Sequence, residues 1–206
     1  MLRGRGYEKG MRALAIIAAI VLSACAGSPR AVEAPDLGAV YTDTGLALPD
    51  RAAFYQTDKR WAGNRLGNSS DSLASDGCLV TAVAMAMRNL GIDTDPGELN
   101  RDLRRANAFT PNGWLVWSGI EVASGGRAKA TYHDSVSPEL IRQCMADGQY
   151  PLVRFYLPNG RSHWAMIVRE GRKGYRMRDP LRRSDKPLIF PRGAEAFRSL
   201  RCVGAA

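Results

Sequence analysis

The chain has 206 residues, 45% of them hydrophobic, and its 29 Lys and Arg against 20 Asp and Glu give a formal charge of +9. That length supports one domain with a real core. The basic residues are scattered with no recognised binding motif, which argues against nucleic acid as a partner. The apolar run 13–22 is far short of the roughly 20 residues that span a bilayer, which argues against a permanent transmembrane helix.

Residues 1–24 read as an export signal, because Arg3, Arg5, Lys9 and Arg12 precede the apolar run Ala13 to Leu22. They hold four basic and one acidic residue, so the remainder still carries +6. A cationic exported protein suits anionic headgroups or acidic polymers. The run ends in Leu22-Ser23-Ala24-Cys25, which resembles the lipobox of bacterial lipoproteins. The resemblance implies lipidation of Cys25 and a membrane anchor, and Ala26 implies the outer membrane facing the periplasm. An ordinary signal cleaved after Ala24 stays open beside it. Residues 25–52 mix Ala, Gly, Pro and Ser without an apolar period, the composition of a flexible tether. The folded domain is expected over 53–206.

Within that domain helices come first. Residues 78–90 are apolar on almost every side, which predicts a buried central helix. Asp95-Pro96-Gly97-Glu98 opens a second helix through about Ala106, and Ser137-Pro138-Glu139 opens another that Gly148 closes. A shorter helix is expected between Trp114 and Ala123. Strands follow: 151–157, the turn Pro158-Asn159-Gly160, 162–170, the loop 171–174, and 175–181. Helices followed by an antiparallel meander is an α+β arrangement.

The second hairpin carries a geometric prediction. A turn over Gly171 to Gly174 makes opposed residue numbers sum to about 343–345 and brings His163 to the region of Asp179 to Leu181. An aspartate there can orient an imidazole. A cysteine nucleophile needs such a partner, because the thiolate attacks and a free thiol has a pKa of about 8.5. Cys78 follows Asp76-Gly77, a capping residue and a flexible one, which places it in the first turn of the central helix, where free N–H groups favour a thiolate. Each residue also has a bland reading: Cys78 as a small core residue, His163 as a strand cap, Asp179 before Pro180 as turn chemistry. Their order and setting together favour the triad logic of nucleophile, base and orienting acid.

With Cys25 lipidated, three cysteines remain in an oxidising compartment. Cys144 and Cys202 can pair and leave Cys78 free; pairings that use Cys78 stay open. His133, in the stretch TYHDS, is expected in a surface turn, and Trp61, Trp114, Trp117 and Trp164 as core or groove aromatics. Trp164, directly after His163, has two readings, a screen for the triad or a packed strand residue. No metal site is expected, since the two histidines are not at ligand spacing and no C-x-x-C pair occurs.

The stretches YQTDKRWAGNRLGN (55–68), SDGCLVTAVAMAMRNLGIDTDPGELNRDL (75–103), NGWLVW (112–117), HWAMIV (163–168) and RDPL (178–181) resemble the papain-like cysteine peptidases related to the bacteriocin-leader-processing, double-glycine peptidases, and in particular their stand-alone branch without a transporter. The resemblance implies a papain-like α+β fold with Cys78 as nucleophile, His163 as base and Asp179 as orienting acid. It also implies Gln56 as a donor to the oxyanion. The long spacing from Gln56 to Cys78 departs from the transporter-fused members and suits the stand-alone branch. Leu79 stands where many members have glycine. The implied activity is thiol-dependent hydrolysis of a peptide or isopeptide bond in the cell envelope, with a peptide or protein substrate and no cofactor. Two alternatives stay open: acyl transfer of transglutaminase or amidase type, and a lipid-anchored, non-catalytic peptide-binding or scaffolding module of the same fold.

Overall fold

The computed structural model describes residues 40–42, 45–172, 174–190 and 192–206. The expected export signal, Cys25 and most of the tether lie outside them. Among the described residues no helix is long and apolar enough to cross a membrane.

Among the described residues eight strands and five α-helices follow in the order β1 (Val40–Thr42), β2 (Gly45–Ala47), α1 (Leu73–Asp76), α2 (Cys78–Asn89), α3 (Pro96–Arg105), α4 (Gly119–Ala123), β3 (Ala128–His133), α5 (Pro138–Ala146), β4 (Tyr150–Tyr156), β5 (Ser162–Gly171), β6 (Gly174–Arg178), β7 (Leu188–Phe190) and β8 (Ser199–Ala205). The strands form one antiparallel sheet in the order β1-β2-β5-β4-β8-β3, and β6 pairs with β5 and β7. The fold is α+β.

Helix α2 is the central element. Every residue from Val80 to Met87 is buried, and the helix packs on β5, β8 and β4. Its near-continuous run of Ala, Val and Met, too apolar for a surface helix, lets it lie inside the core. Asp95 caps α3 by accepting from the Glu98 N–H at 2.9 Å, and Ser137 caps α5 by accepting from Leu140 at 3.2 Å. Gly148 follows α5 with φ +70°, a left-handed position that favours glycine.

The domain begins before Ala53, which corrects the tether boundary at residue 52. Ala47 pairs with Arg169, the Leu48 N–H donates to the Val168 carbonyl at 2.8 Å, and Leu46, Leu48 and Ala52 are buried. Two further ties hold this segment: the Tyr150 hydroxyl donates to the Pro49 carbonyl at 2.8 Å, and the Arg51 N–H donates to Asn89 Oδ1 at 2.7 Å. Three apolar side chains in a core outweigh a linker-like composition.

A disulfide joins Cys144 on α5 to Cys202 on β8, with a Cα–Cα distance of 5.8 Å. It closes a loop across 58 positions and leaves Cys78 as the free cysteine of the described residues. His133 ends β3, paired with Leu200, rather than lying in a surface turn; its Nε2 is 3.3 Å from Cys202 Sγ.

Candidate active site

Two local structures position Cys78. Ser72 and Ser75 cap α1 reciprocally, with the Ser75 N–H donating to Ser72 Oγ at 3.2 Å and the Ser72 N–H donating to Ser75 Oγ at 2.9 Å. The chain then turns straight into α2 through Gly77. A Cβ at Gly77 would lie 2.4 Å from the Leu73 carbonyl oxygen and 2.6 Å from Leu73 Cα, both backbone atoms that cannot step aside. Glycine is therefore a steric requirement of this junction. The N-cap of α2 is Gly77 itself, with no side-chain hydrogen bond to the first turn. Asp76, expected to cap α2, instead ends α1 and pairs with Arg161 at 3.2 Å. The opening N–H groups of α2 are thus left uncapped by any side chain at the half-buried Cys78.

The β5–β6 hairpin places the other two residues. Met166 faces Arg178 and Ile167 faces Met177; beyond a bulge at Ile167 to Arg169, Glu170 faces Tyr175 and Gly171 faces Gly174. These sums of 344 and 345 lie inside the expected window, and at the open end of the hairpin His163 Nε2 meets Asp179 Oδ1 at 2.7 Å. The histidine side chain is 1% exposed and the aspartate 9%. Asp179 Oδ1 also accepts from the Leu181 N–H at 2.8 Å, which fixes the carboxylate. Cys78 also acts on this imidazole and raises its pKa.

The electrostatics follow from these contacts. Burial pushes the His163 pKa down, but the hydrogen bond to Asp179 and the influence of Cys78 outweigh it and raise it from 6.5 to about 9. Burial pushes the Asp179 carboxyl up, yet its hydrogen bond to His163 and the imidazolium charge hold it below the ordinary value. The pair is therefore an imidazolium and a carboxylate at neutral pH.

Phe155 packs edge-on against the His163 ring, centroids 5.4 Å apart at 89°, and Phe190 and Phe197 extend this aromatic wall. Phe155 is directly opposite His163 across the β4–β5 hairpin. The Pro158-Asn159-Gly160 turn contained the signal for this contact, since it sets the register. Trp164 points to the other face of the strand, as alternation requires, and packs on Trp117 at 5.4 Å. Trp61 is a core residue whose Nε1 donates to the Tyr55 carbonyl at 2.8 Å.

Gln56 lies between the two halves of the site. Its backbone N–H donates to the Pro180 carbonyl at 2.9 Å, and its Nε2 donates to the Ala74 carbonyl, four residues before Cys78, at 2.8 Å. The side chain is buried, one amide hydrogen remains beyond the Ala74 bond, and Oε1 has no hydrogen-bond partner. Arg178, next to Asp179, was not singled out in the sequence. It forks onto Asp50 at 2.8 Å through both Nε and Nη2 and also donates to the carbonyls of Ser184 and Asp185. It thereby ties the loop after Asp179 to the start of the domain.

Cys78 opens onto a cleft of about 420 Å³ walled by Leu79, Trp114, Trp117, Trp164 and Arg154. Trp114 is 71% exposed at its rim. Among the described residues no group of three or more His, Cys, Asp or Glu is placed to hold a metal ion.

No family model and no curated protein matches the chain. Among solved structures it is similar to a C39-like peptidase from Bacillus anthracis, with 16% identity and a TM-score of 0.47 over 77% of this chain and 96% of that one.

Proposed function

We propose that the chain hydrolyses a peptide or isopeptide bond through a thioester on Cys78. The observation that carries this reading is a buried imidazole bonded to Asp179 at 2.7 Å and raised in pKa by Cys78, a free thiol that opens on a cleft. A structural histidine has no need of both a carboxylate and a free thiol acting on it.

In the proposed reaction the Cys78 proton is held on His163, and Sγ attacks the substrate carbonyl carbon as the thiolate, forming a C–S bond while the carbonyl π electrons move onto oxygen. The uncapped N–H at the start of α2 and the second amide hydrogen of Gln56 are the donors for that oxyanion. As the tetrahedral species collapses, the C–N bond breaks and His163 gives its proton to the departing amine. Water then attacks the thioester and passes a proton to His163, the C–S bond breaks, and the acid leaves with the thiolate and imidazolium restored. Asp179 holds the imidazole in the required tautomer and offsets its charge. Phe155 and its aromatic neighbours keep the back of the ring dry, which strengthens both contacts.

The lipobox-like Leu22 to Cys25 supports a lipid-anchored protein of the cell envelope, in the outer membrane facing the periplasm, and the Cys144–Cys202 disulfide suits an oxidising compartment. The domain resembles the stand-alone double-glycine peptidases on the sequence stretches quoted above. Turnover of a peptide library and of purified peptidoglycan, with Cys78→Ala as control, tests the activity. Cleavage lost in the variant is the expected result; cleavage that persists in it, or none by the native protein, removes the proposal. Acyl transfer instead of hydrolysis would show as product joined to an added amine.

A further inference from the structure

A second cleft, of about 560 Å³, lies beyond one wall of the first and is lined by Gly67, Asn68, Arg101, Arg104, Arg105 and Phe109. Its cationic side is the last turn of α3. Asp102 is the acid within reach of this turn, 3.7 Å from Arg101 and 3.4 Å from Arg105, and Arg104 has no acidic partner among the described residues. Three guanidinium groups thus share one carboxylate in a concave setting. Arginines at a helix C-terminus complement the dipole, but that role does not require a cavity around them.

The two clefts share a partition made of two chain segments. Leu66 faces the Cys78 cleft while Gly67 and Asn68 face the arginine cleft; Asn112 to Leu115 face the first while Phe109 to Pro111 face the second. Two glycines let the segments pack this closely. A Cβ on Gly67 would sit 2.6 Å from Phe109 Cβ, and one on Gly113 would sit 2.4 Å from Ser69 Oγ; both glycines have positive φ. An extended ligand that crosses this partition would reach both clefts.

We propose that the arginine cleft binds a carboxylate-rich segment of the same peptide whose scissile bond lies at Cys78. The reading rests on the proposed function and names its substrate class: peptides with an acidic stretch on one side of the cleaved bond. Concavity selects a chain segment over a membrane, because a bilayer surface is flat and cannot enter a cleft behind a rim. The guanidinium fork matches carboxylates in two-point contact.

Two measurements on the full chain test this. The first is independent of turnover: anisotropy of a fluorescein-labelled polyglutamate peptide titrated with the Cys78→Ala protein. Paired substitutions Arg101→Gln with Arg104→Gln, and Arg101→Glu with Arg104→Glu, are at exposed positions. They should weaken binding in graded order, about tenfold for the charge reversal, and high salt should weaken it likewise. The second compares quenched peptide pools flanked by glutamates or by lysines. The native protein should prefer the glutamate pool, and the charge reversal should erase that preference through KM rather than kcat. Equal polyglutamate binding by native and reversed proteins overturns the inference while leaving Cys78 chemistry intact. So does Arg-dependent binding of phosphatidylglycerol vesicles without polyglutamate binding, which would make the cleft part of a membrane surface. If neither pool is cleaved, the proposed function falls and the anisotropy still decides the cleft.

Discussion

Asp179→Asn separates charge from geometry at the centre of the site. The asparagine carbonyl oxygen can still accept from His163 Nε2 and from the Leu181 N–H, the two bonds Asp179 Oδ1 makes now, so the ring keeps its place. What disappears is the negative charge facing the imidazolium. A hydrogen bond to a charged group is worth about 1.5–3 kcal/mol, and about 1.4 kcal/mol corresponds to one pKa unit, so the substitution should lower the His163 pKa by about 1–2 units. The native value is about 9. In the proposed reaction His163 gives a proton to the leaving amine, and that proton is lost above this value, so native kcat/KM should fall as pH rises through about 9. In the variant the same limb should move to about pH 7–8. The assay is a pH profile of kcat/KM on one cleaved peptide, with the His163 ring protons followed by NMR titration on both proteins. A limb that stays at the native position in Asp179→Asn, or moves upward, refutes the claim that the Asp179 charge holds the imidazolium.

Folding stability should carry the same signature. His163 is raised in the folded state above its unfolded 6.5, so its contribution is fully present below pH 6.5 and is lost as pH rises through about 9. Asp179 is lowered from 3.8, so its contribution is present above pH 3.8 and is lost as pH falls through its folded value. Denaturant midpoints across pH should therefore decline at both ends, and His163→Ala should flatten the alkaline decline. Gly77→Ala forces a Cβ to 2.4 Å from the Leu73 carbonyl and should cost about 1–3 kcal/mol, with Tm lower by several degrees. Cys144→Ser with Cys202→Ser should lower stability by about 2–4 kcal/mol in denaturant titrations and leave Cys78 reactive, since the bridge lies across β8 and α5. Gln56→Ala should lower kcat by about 100-fold to 1,000-fold with a smaller effect on KM.

Much of this site was readable in the sequence because its parts are set by local rules. The apolar run from Val80 to Met87, the caps Asp95 and Ser137, and the glycines around residues 171–174 each act over a few residues, and the hairpin arithmetic turns the last of these into a contact between His163 and Asp179. What escaped depends on partners distant in the chain. Strands β3 and β8 are recognisable only together, since β3 has a largely exposed face and owes its place to pairing with β8. Residues 45–52 look like linker because the signals that fasten them, Tyr150, Asn89 and Arg178, lie 38 to 128 positions away. Asp76 looked like a cap for α2 on composition, but the turn it occupies belongs to α1, and the junction needs glycine for steric reasons that a single chain pattern does not display. The arginine cleft escaped for a different reason: Gly67 and Phe109 are 42 positions apart, and the Phe109 side chain can approach Gly67 only because the glycine carries no Cβ.

The central claim is that Cys78 is a nucleophile activated by His163, and the rate of its alkylation by iodoacetamide at slightly acidic pH tests this without any knowledge of the substrate. A thiolate held beside an imidazolium reacts where a free thiol, with a pKa of about 8.5, is almost entirely protonated. The account predicts that native Cys78 reacts many times faster than a free thiol at pH 6 and that His163→Ala abolishes the excess. An unaccelerated native rate, or one that His163→Ala leaves unchanged, would contradict it.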